Sequence, residues 1–283
     1  MSHPTQIEDP EPDQPLKDLI FYVGRVGIPL REKNKTYLDS DDLARLKVQC
    51  TEIDFDSGTP KDEGFKVLKP KSFNEMSDIA QAKKLFDESA IPVFGDTTNW
   101  HTANYLAQLY MGVLDTTPQE DRSTVNDPDP SNQSLLQLSP WEVLEGVRCQ
   151  NMHPEIHWQV SFSLQRSGNS GPDIMCFLAN EHPLKDDQLL LSEFSCIMRM
   201  SMLRLHKGRS HNYRIVPVTV VSVSDKYVRI VQGYGDSSKG CIVVRKSRII
   251  SLEENGKLNS EGFIRIACWL LGDPCEQNLG HRR

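Results

Sequence analysis

The sequence has no run of about 18 apolar residues, the length that a helix needs to cross a bilayer, so we expect no membrane partner. The first 15 residues hold four prolines and four acidic residues, but no Lys or Arg and no apolar stretch. A secretory signal needs a basic start and an apolar centre. These absences predict a soluble intracellular protein that is cytoplasmic, and a nuclear location stays open.

The seven cysteines are odd in number and include no Cys-x-x-Cys pair. A disulfide framework or a zinc site of the common type would need paired or closely spaced cysteines. Cys176, Cys196, Cys241 and Cys268 lie within apolar runs, which favours buried and reduced thiols. We therefore expect no metal site and no cofactor, except for Mg²⁺ under the nuclease hypothesis described below.

The net charge of −7 excludes a protein that is basic over its whole surface. The charge is uneven, however, because residues 192–250 carry eleven Lys or Arg and only three acidic residues, a balance of +8, whereas the remainder carries −15. The densest part contains Arg204, Lys207, Arg209 and Arg214. This pattern predicts a surface for an acidic protein or a phosphate-bearing ligand. The alternative is a group of solvated bases at a helix end, and nucleic-acid binding stays open.

Composition divides the chain near residues 116–134, where Val125 is the one clearly apolar residue and burial cannot offset the ordering entropy. The resulting segments are a disordered tail (1–15), a mainly helical half (16–115), a loop or linker (116–138), an α+β half (139–275) and a second tail (276–283). Two halves that pack on one core would also fit this division.

The second half has the clearer periodicity. Ser139-Pro140-Trp141-Glu142 has the pattern of a helix start, and Pro217 indicates an edge strand or a strand paired on one side at that point. Further predicted elements are strands at 157–165 and 174–179, a long buried helix at 186–207, strands at 213–224, 227–232 and 241–250, and a helix at 261–271. The order predicts an α+β fold with a mostly antiparallel sheet.

Pro172-Asp173, followed by a strand and then Glu181, resembles in part the PD-(D/E)xK nucleases. The resemblance implies that Asp173 and Glu181 hold Mg²⁺, with Glu142 or Glu145 joining from a preceding helix. The Lys expected two positions after the Glu is replaced by Pro, so Lys185 would have to substitute for it. The sheet also lacks one strand that the nuclease core requires.

Three passages of the second half resemble uncharacterised proteins of filamentous fungi: IVPVTVVSVSDKYVRIVQGYGD, CIVVRKSRIISLEE and FIRIACWLLGDP. This resemblance implies no activity and no functional residue. A fungal setting would fit an accessory role beside a pathway.

Three functional hypotheses result. The first is an accessory or interaction protein that binds an acidic partner through the basic segment. The second is a metal-dependent, nuclease-like phosphodiesterase. The third is a small-molecule enzyme with a pocket between the halves, lined by Trp100, His101 and Trp158. The sequence does not decide whether the chain is an enzyme, and it leaves the oligomeric state open.

Overall fold

A computed structural model describes residues 14–32, 35–82, 98–115, 134–137, 139–146, 149–151, 157–169, 171–206, 215–255 and 257–275. Within these ranges the helices are α1 (Gln14–Glu32), α2 (Ser40–Arg45), α3 (Phe73–Ala82), α4 (Asn99–Asp115), α5 (Leu191–His206) and α6 (Ser260–Leu270). The strands are β1 (Tyr37–Leu38), β2 (Val48–Glu52), β3 (Leu68–Lys69), β4 (Trp141–Val143), β5 (Gln150–Asn151), β6 (Trp158–Arg166), β7 (Ile174–Asn180), β8 (Leu189–Leu190), β9 (Val218–Ser224), β10 (Tyr227–Asp236), β11 (Cys241–Lys246), β12 (Ile250–Ser251), β13 (Glu253–Glu254), β14 (Lys257–Leu258) and β15 (Asp273–Pro274).

A mixed sheet of nine strands forms the centre of the described part of the chain. Seven strands lie in the order β2-β11-β10-β9-β7-β6-β4, with β12 beside β10 and β5 beside β6. The pairs β7–β9 and β11–β2 are parallel, and the other pairs are antiparallel. Helix α5 connects the parallel strands β7 and β9. None of the described helices is long and apolar enough to span a membrane.

The α+β class is confirmed, but the prediction of a mainly helical first half is wrong, and the sheet is mixed, with two parallel pairs among the antiparallel ones. Strand β2 joins the large sheet in parallel beside β11, β1 pairs with β8, and β3 pairs with β15. The helices are few and scattered around a mixed sheet. The reason is that β-pairing depends on partners far along the chain, whereas a local apolar pattern shows only periodicity.

The predicted helix start at Ser139 is also wrong, because Trp141–Val143 forms strand β4 and pairs antiparallel with the end of β6. The Trp141 side chain is buried, and its indole Nε1 donates a hydrogen bond to the Gly272 carbonyl at 2.8 Å. This tertiary contact outweighs the local capping pattern.

Pro217 precedes β9, which is an interior strand, and its carbonyl accepts a hydrogen bond from the Ile174 N–H.

The long buried helix and the last helix are confirmed, with α5 beginning at Leu191 because the two leucines before it pair with β1. Both faces of the sheet are covered by described helices. Strand β7 shows the alternation: Met175, Phe177 and Ala179 pack in one apolar cluster with α4 and α6, and Cys176 packs in the other with α1 and α5. Burial on both faces explains why residues 174–179 of β7 form a continuous apolar run.

A fully buried ion pair connects β10 to the first turn of α5. The Arg229 guanidinium donates to both Glu193 carboxylate oxygens, from Nε at 2.8 Å and from Nη2 at 2.6 Å. It also donates to the carbonyls of Lys185 and Gln188, and Glu193 accepts from the Leu190 N–H at 2.9 Å. The pair therefore fixes the connection between β7 and α5 against the sheet.

We expect Glu193→Gln to lower the free energy of unfolding by about 3–5 kcal/mol, because it leaves a buried guanidinium without its counter-charge. Glu261→Gln is the matched control, since Glu261 is exposed and its pair with Arg265 should contribute less than about 1 kcal/mol. Urea unfolding measures both. A loss in Glu193→Gln as small as that in the control would contradict this role of the ion pair.

Candidate functional site

A cavity of about 270 Å³ lies where β7 ends, β6 begins and the first turn of α5 passes. It lies between the halves, because Lys35 and Thr36 come from the first half and the rest of the described lining comes from the second. The described lining comprises Lys35, Thr36, Gln150, Asn151, His157, Trp158, Asn180, His182, Leu190, Leu191, Ser192, Ser195 and Arg199. It contains cations, imidazoles, amides and hydroxyls, but no described carboxylate.

Asn180 forms the floor of this pocket, at the last position of β7. It is almost fully buried, and its amide Nδ2 donates to Ser222 Oγ at 3.1 Å and to the Val223 carbonyl at 3.2 Å. Its Oδ1 accepts from Ser192 Oγ at 2.6 Å. The network joins β7, β9 and α5 and holds the strand end and the helix start in a fixed relation.

Lys35 and Thr36 form the part of the pocket wall that comes from the first half, and main-chain contacts hold this segment in place. The pairing of β1 with β8 brings Thr36 alongside α5, where its carbonyl accepts from the Leu191 N–H at 2.8 Å. Lys35 is already compensated by Asp39, at 2.6 Å, and by Asp42. The hydrogen bond from Lys35 is the main cause that lowers the pKa of Asp39 to about 2. Lys35 is therefore a poor source of net positive charge for a ligand.

Arg199 is the remaining arginine or lysine of the described wall. Its guanidinium carbon lies 5.8 Å from the centre of the Trp158 ring, within the range of a cation–π contact. Its Nη1 is 3.9 Å from Cys149 Sγ, a weak acceptor. No described carboxylate forms an ion pair with it. This arrangement leaves a positive charge at the pocket wall, with its fork of donors available to an anion.

His157 forms the other side of the pocket and stacks on Trp100, with ring centres 4.3 Å apart. Burial lowers the pKa of His157, partly opposed by the nearby Glu181. The imidazole Nε2 is buried and has no hydrogen-bond partner within the described ranges. Glu181 itself accepts from the Trp100 N–H at 3.1 Å. His157 is therefore a neutral group that can donate to or accept from a ligand.

The residues assigned to the nuclease hypothesis are divided between two ends of the sheet. Asp173 precedes β7 and Glu181 follows it, eight positions on, which in an extended strand is about 26 Å. Two carboxylates at that separation cannot share an ion whose bonds are about 2.0–2.6 Å long. Glu142 lies on a strand instead of a helix, near Asp173, where it accepts from Gln165 Nε2 at 2.8 Å.

Lys185 lies near the Glu181 end, with its ammonium 4.1 Å from the centre of the Tyr37 ring. Glu145 lies in the exposed turn after β4. The described residues contain no group of three His, Cys, Asp or Glu side chains that could hold a metal ion. Strand β4 provides a strand before β6 that the sequence analysis did not identify. The residues assigned to the nuclease hypothesis nevertheless do not converge on one site.

The predicted anion cluster is represented by Arg204 alone, because Lys207, Arg209 and Arg214 lie outside the described residues. Arg204 is buried, and it donates to Gln165 Oε1 at 3.2 Å and to the Gly171 carbonyl at 2.5 Å. It connects the end of α5 to the β6–β7 turn. Arg204 therefore stabilises the fold at this point.

Most other described bases of the 192–250 segment form ion pairs with carboxylates of the same chain, either buried or at the surface. The pairs within the described ranges are Arg229–Glu193, Arg245–Asp62, Lys226–Glu253, Arg248–Asp56 and Lys239–Asp236. Glu193 and Asp236 belong to the segment and are already counted in its +8 balance, whereas Asp62, Glu253 and Asp56 come from elsewhere in the chain and offset three of these charges.

The third hypothesis named Trp158, which lines the pocket, and Trp100, which supports His157 from behind. His101 is exposed and packs against the edge of Trp100. Sequence reasoning missed Arg199 and Asn180. One signal was available for Arg199, since an arginine in the middle of a helix that is apolar nearly all round has to meet water, an ion or a cavity.

Comparison with protein-family models, with curated proteins and with solved structures finds no match for this chain. The resemblances to fungal proteins and to PD-(D/E)xK nucleases therefore stay predictions from the sequence. The geometry of the pocket is the basis for a functional proposal.

Asp173 is a buried carboxyl group at the end of the sheet opposite the pocket, and its protonation should affect the stability of the protein. Its carboxyl group is 5% exposed, and burial raises its pKa to about 6, although Arg166 and Arg204 oppose the shift. The folded protein thus holds this proton more tightly than the unfolded chain. The stabilising contribution is present below the usual pKa of 3.8 and is lost as the pH rises through about 6.

The unfolding free energy of the wild type should fall by at most about 3 kcal/mol between about pH 4 and pH 7, as Asp173 loses its proton. We expect this fall to be absent in Asp173→Asn. Urea unfolding across this range measures it. Asp273→Asn is the control, because Asp273 is half-exposed and pairs with Lys71 at the surface. Equal pH profiles for the wild type and Asp173→Asn would contradict the assignment.

Proposed function

We propose that this chain is a binding protein for a small organic anion, which it takes into the pocket between its halves. The observation that carries the proposal is Arg199, a guanidinium at the pocket wall without a described carboxylate partner. Arg199 is half-buried at this wall, and a partly desolvated charge of this kind is stabilised when a ligand supplies the opposite charge.

The surrounding groups support an anion in preference to a cation. The described lining offers the hydroxyl group of Ser195 and the amide of Gln150 beside Arg199, with no acidic side chain. Hydroxyls and amides can donate to an anionic oxygen, and an arginine can bind a carboxylate or phosphate with two parallel hydrogen bonds. The lining therefore suits a carboxylate or a phosphate ester.

The internal pairing of the basic segment favours a small ligand over an acidic protein. Arg229 and Arg245 are buried at the centre of the sheet and are bound to Glu193 and Asp62. Such charges add little to a surface potential, because each is matched within a few ångström. Arg199 opens into a cavity, which a folded protein surface cannot enter.

We expect Arg199→Gln to weaken the binding of acetate or inorganic phosphate about ten- to a hundredfold, through loss of a charge-assisted hydrogen bond. Isothermal titration calorimetry measures the dissociation constants, and acetamide serves as the neutral analogue of acetate. Arg248→Gln is the matched control, because Arg248 is exposed and pairs with Asp56 away from the pocket.

Arg248→Gln should bind these anions as the wild type does. Equal affinity of Arg199→Gln and the wild type, or equal affinity for acetate and acetamide, would contradict the proposed function.

A further inference from the structure

A second cavity, of about 300 Å³, runs between α1 and α5 and is mostly apolar. Its apolar walls include Phe21, Val23, Phe194, Met198 and Met202. No described residue of this lining is acidic. An apolar groove of this size indicates a place for hydrocarbon.

The groove adjoins the polar pocket. Leu191, Ser195 and Arg199 line both cavities, so the guanidinium lies at the junction between them. A ligand held by Arg199 therefore has polar groups on one side and an apolar channel on the other. This arrangement matches a molecule with a charged head and a hydrocarbon tail.

Building on the proposed function, we infer that the ligand is an amphiphile whose anionic head binds Arg199 and whose alkyl tail lies between α1 and α5. The head is a carboxylate or a phosphate monoester, both of which fit the arginine fork. Methionines suit the tail, because their unbranched, polarisable side chains adapt to an alkyl chain.

Two glycines of α1 shape the groove. A Cβ added at Gly24 would approach Met202 Cε to 2.7 Å, which shows that the two helices touch there. A Cβ added at Gly27 would meet nothing within 4 Å, although Gly27 is buried. Gly27 therefore faces the open space of the groove. Phe21 is 44% exposed at the groove edge, and a bound tail would cover it.

The first experiment measures affinity against chain length. Acetate, butyrate, hexanoate and octanoate are titrated into the wild-type protein below their critical micelle concentrations, with octanol as the neutral control and octyl phosphate as the alternative head. Each added methylene should tighten binding by up to about fourfold if it enters the groove. Octanol should bind far more weakly than octanoate, and the ratio of octyl phosphate to octanoate shows which head is preferred.

The second experiment blocks the tail site. Gly27→Leu places a side chain in the groove and replaces a poor helix former with a good one. It should reduce octanoate affinity to that of a short carboxylate and leave acetate affinity unchanged. Gly112→Leu is the matched control, because Gly112 is a helical glycine of α4, and a Cβ added there would also meet nothing within 4 Å. This control should bind octanoate as the wild type does.

The outcomes separate the two proposals. One outcome is that acetate binding needs Arg199, but neither chain length nor Gly27→Leu changes the affinity. That outcome would contradict the amphiphile proposal and would still support the anion site. Octanol as tight as octanoate would overturn the role of the head. If no anion depends on Arg199, the proposed function fails as well. The chain-length series uses the wild type alone, so it decides the inference even if a variant does not fold.

Discussion

The buried pair of Arg229 and Glu193 is the interaction on which the rest of the architecture depends. It fixes β10, the segment from Lys185 to Leu190 and the start of α5 in one arrangement. The first turn of α5 then provides a wall of the pocket, and strand β8, directly before it, captures β1 from the first half. The pocket between the halves is thus a consequence of one charge pair that is removed from water.

The same pair shows why the charge pattern of the sequence is misleading as a guide to partners. Arg229 pairs with Glu193, which belongs to the basic segment itself, and Arg245 pairs with Asp62 from the acidic remainder. Ion pairs of this kind satisfy charge locally and leave little for an external partner. Arg199 differs, because it opens into a cavity and lies at the junction of a polar and an apolar space.

Helix α5, helix α6 and the β6–β7 hairpin could be predicted, because each is a local element with clear periodicity or capping. The membership of β2 in the sheet could not, since its partner β11 lies far along the chain. The strand at Trp141 also escaped, because a buried indole contact overrides a helix-capping pattern. For the site, Trp158 was identified from its aromatic character. Arg199 and Asn180 become functional candidates only in the folded protein, where the end of β7, the beginning of β6 and the first turn of α5 converge. Asp173 and Glu181 match part of a nuclease pattern in the sequence, but they lie at opposite ends of β7.

The central claim is that Arg199 lies at the junction of a polar cavity and an apolar cavity, which together hold one ligand. A crystal structure of the wild-type protein with octanoate tests it most directly. The account predicts the carboxylate within hydrogen-bonding distance of the Arg199 guanidinium, with the carbon chain running between α1 and α5 past Gly27. Octanoate bound elsewhere, or bound with its tail in the polar pocket and its head in solvent, would contradict it.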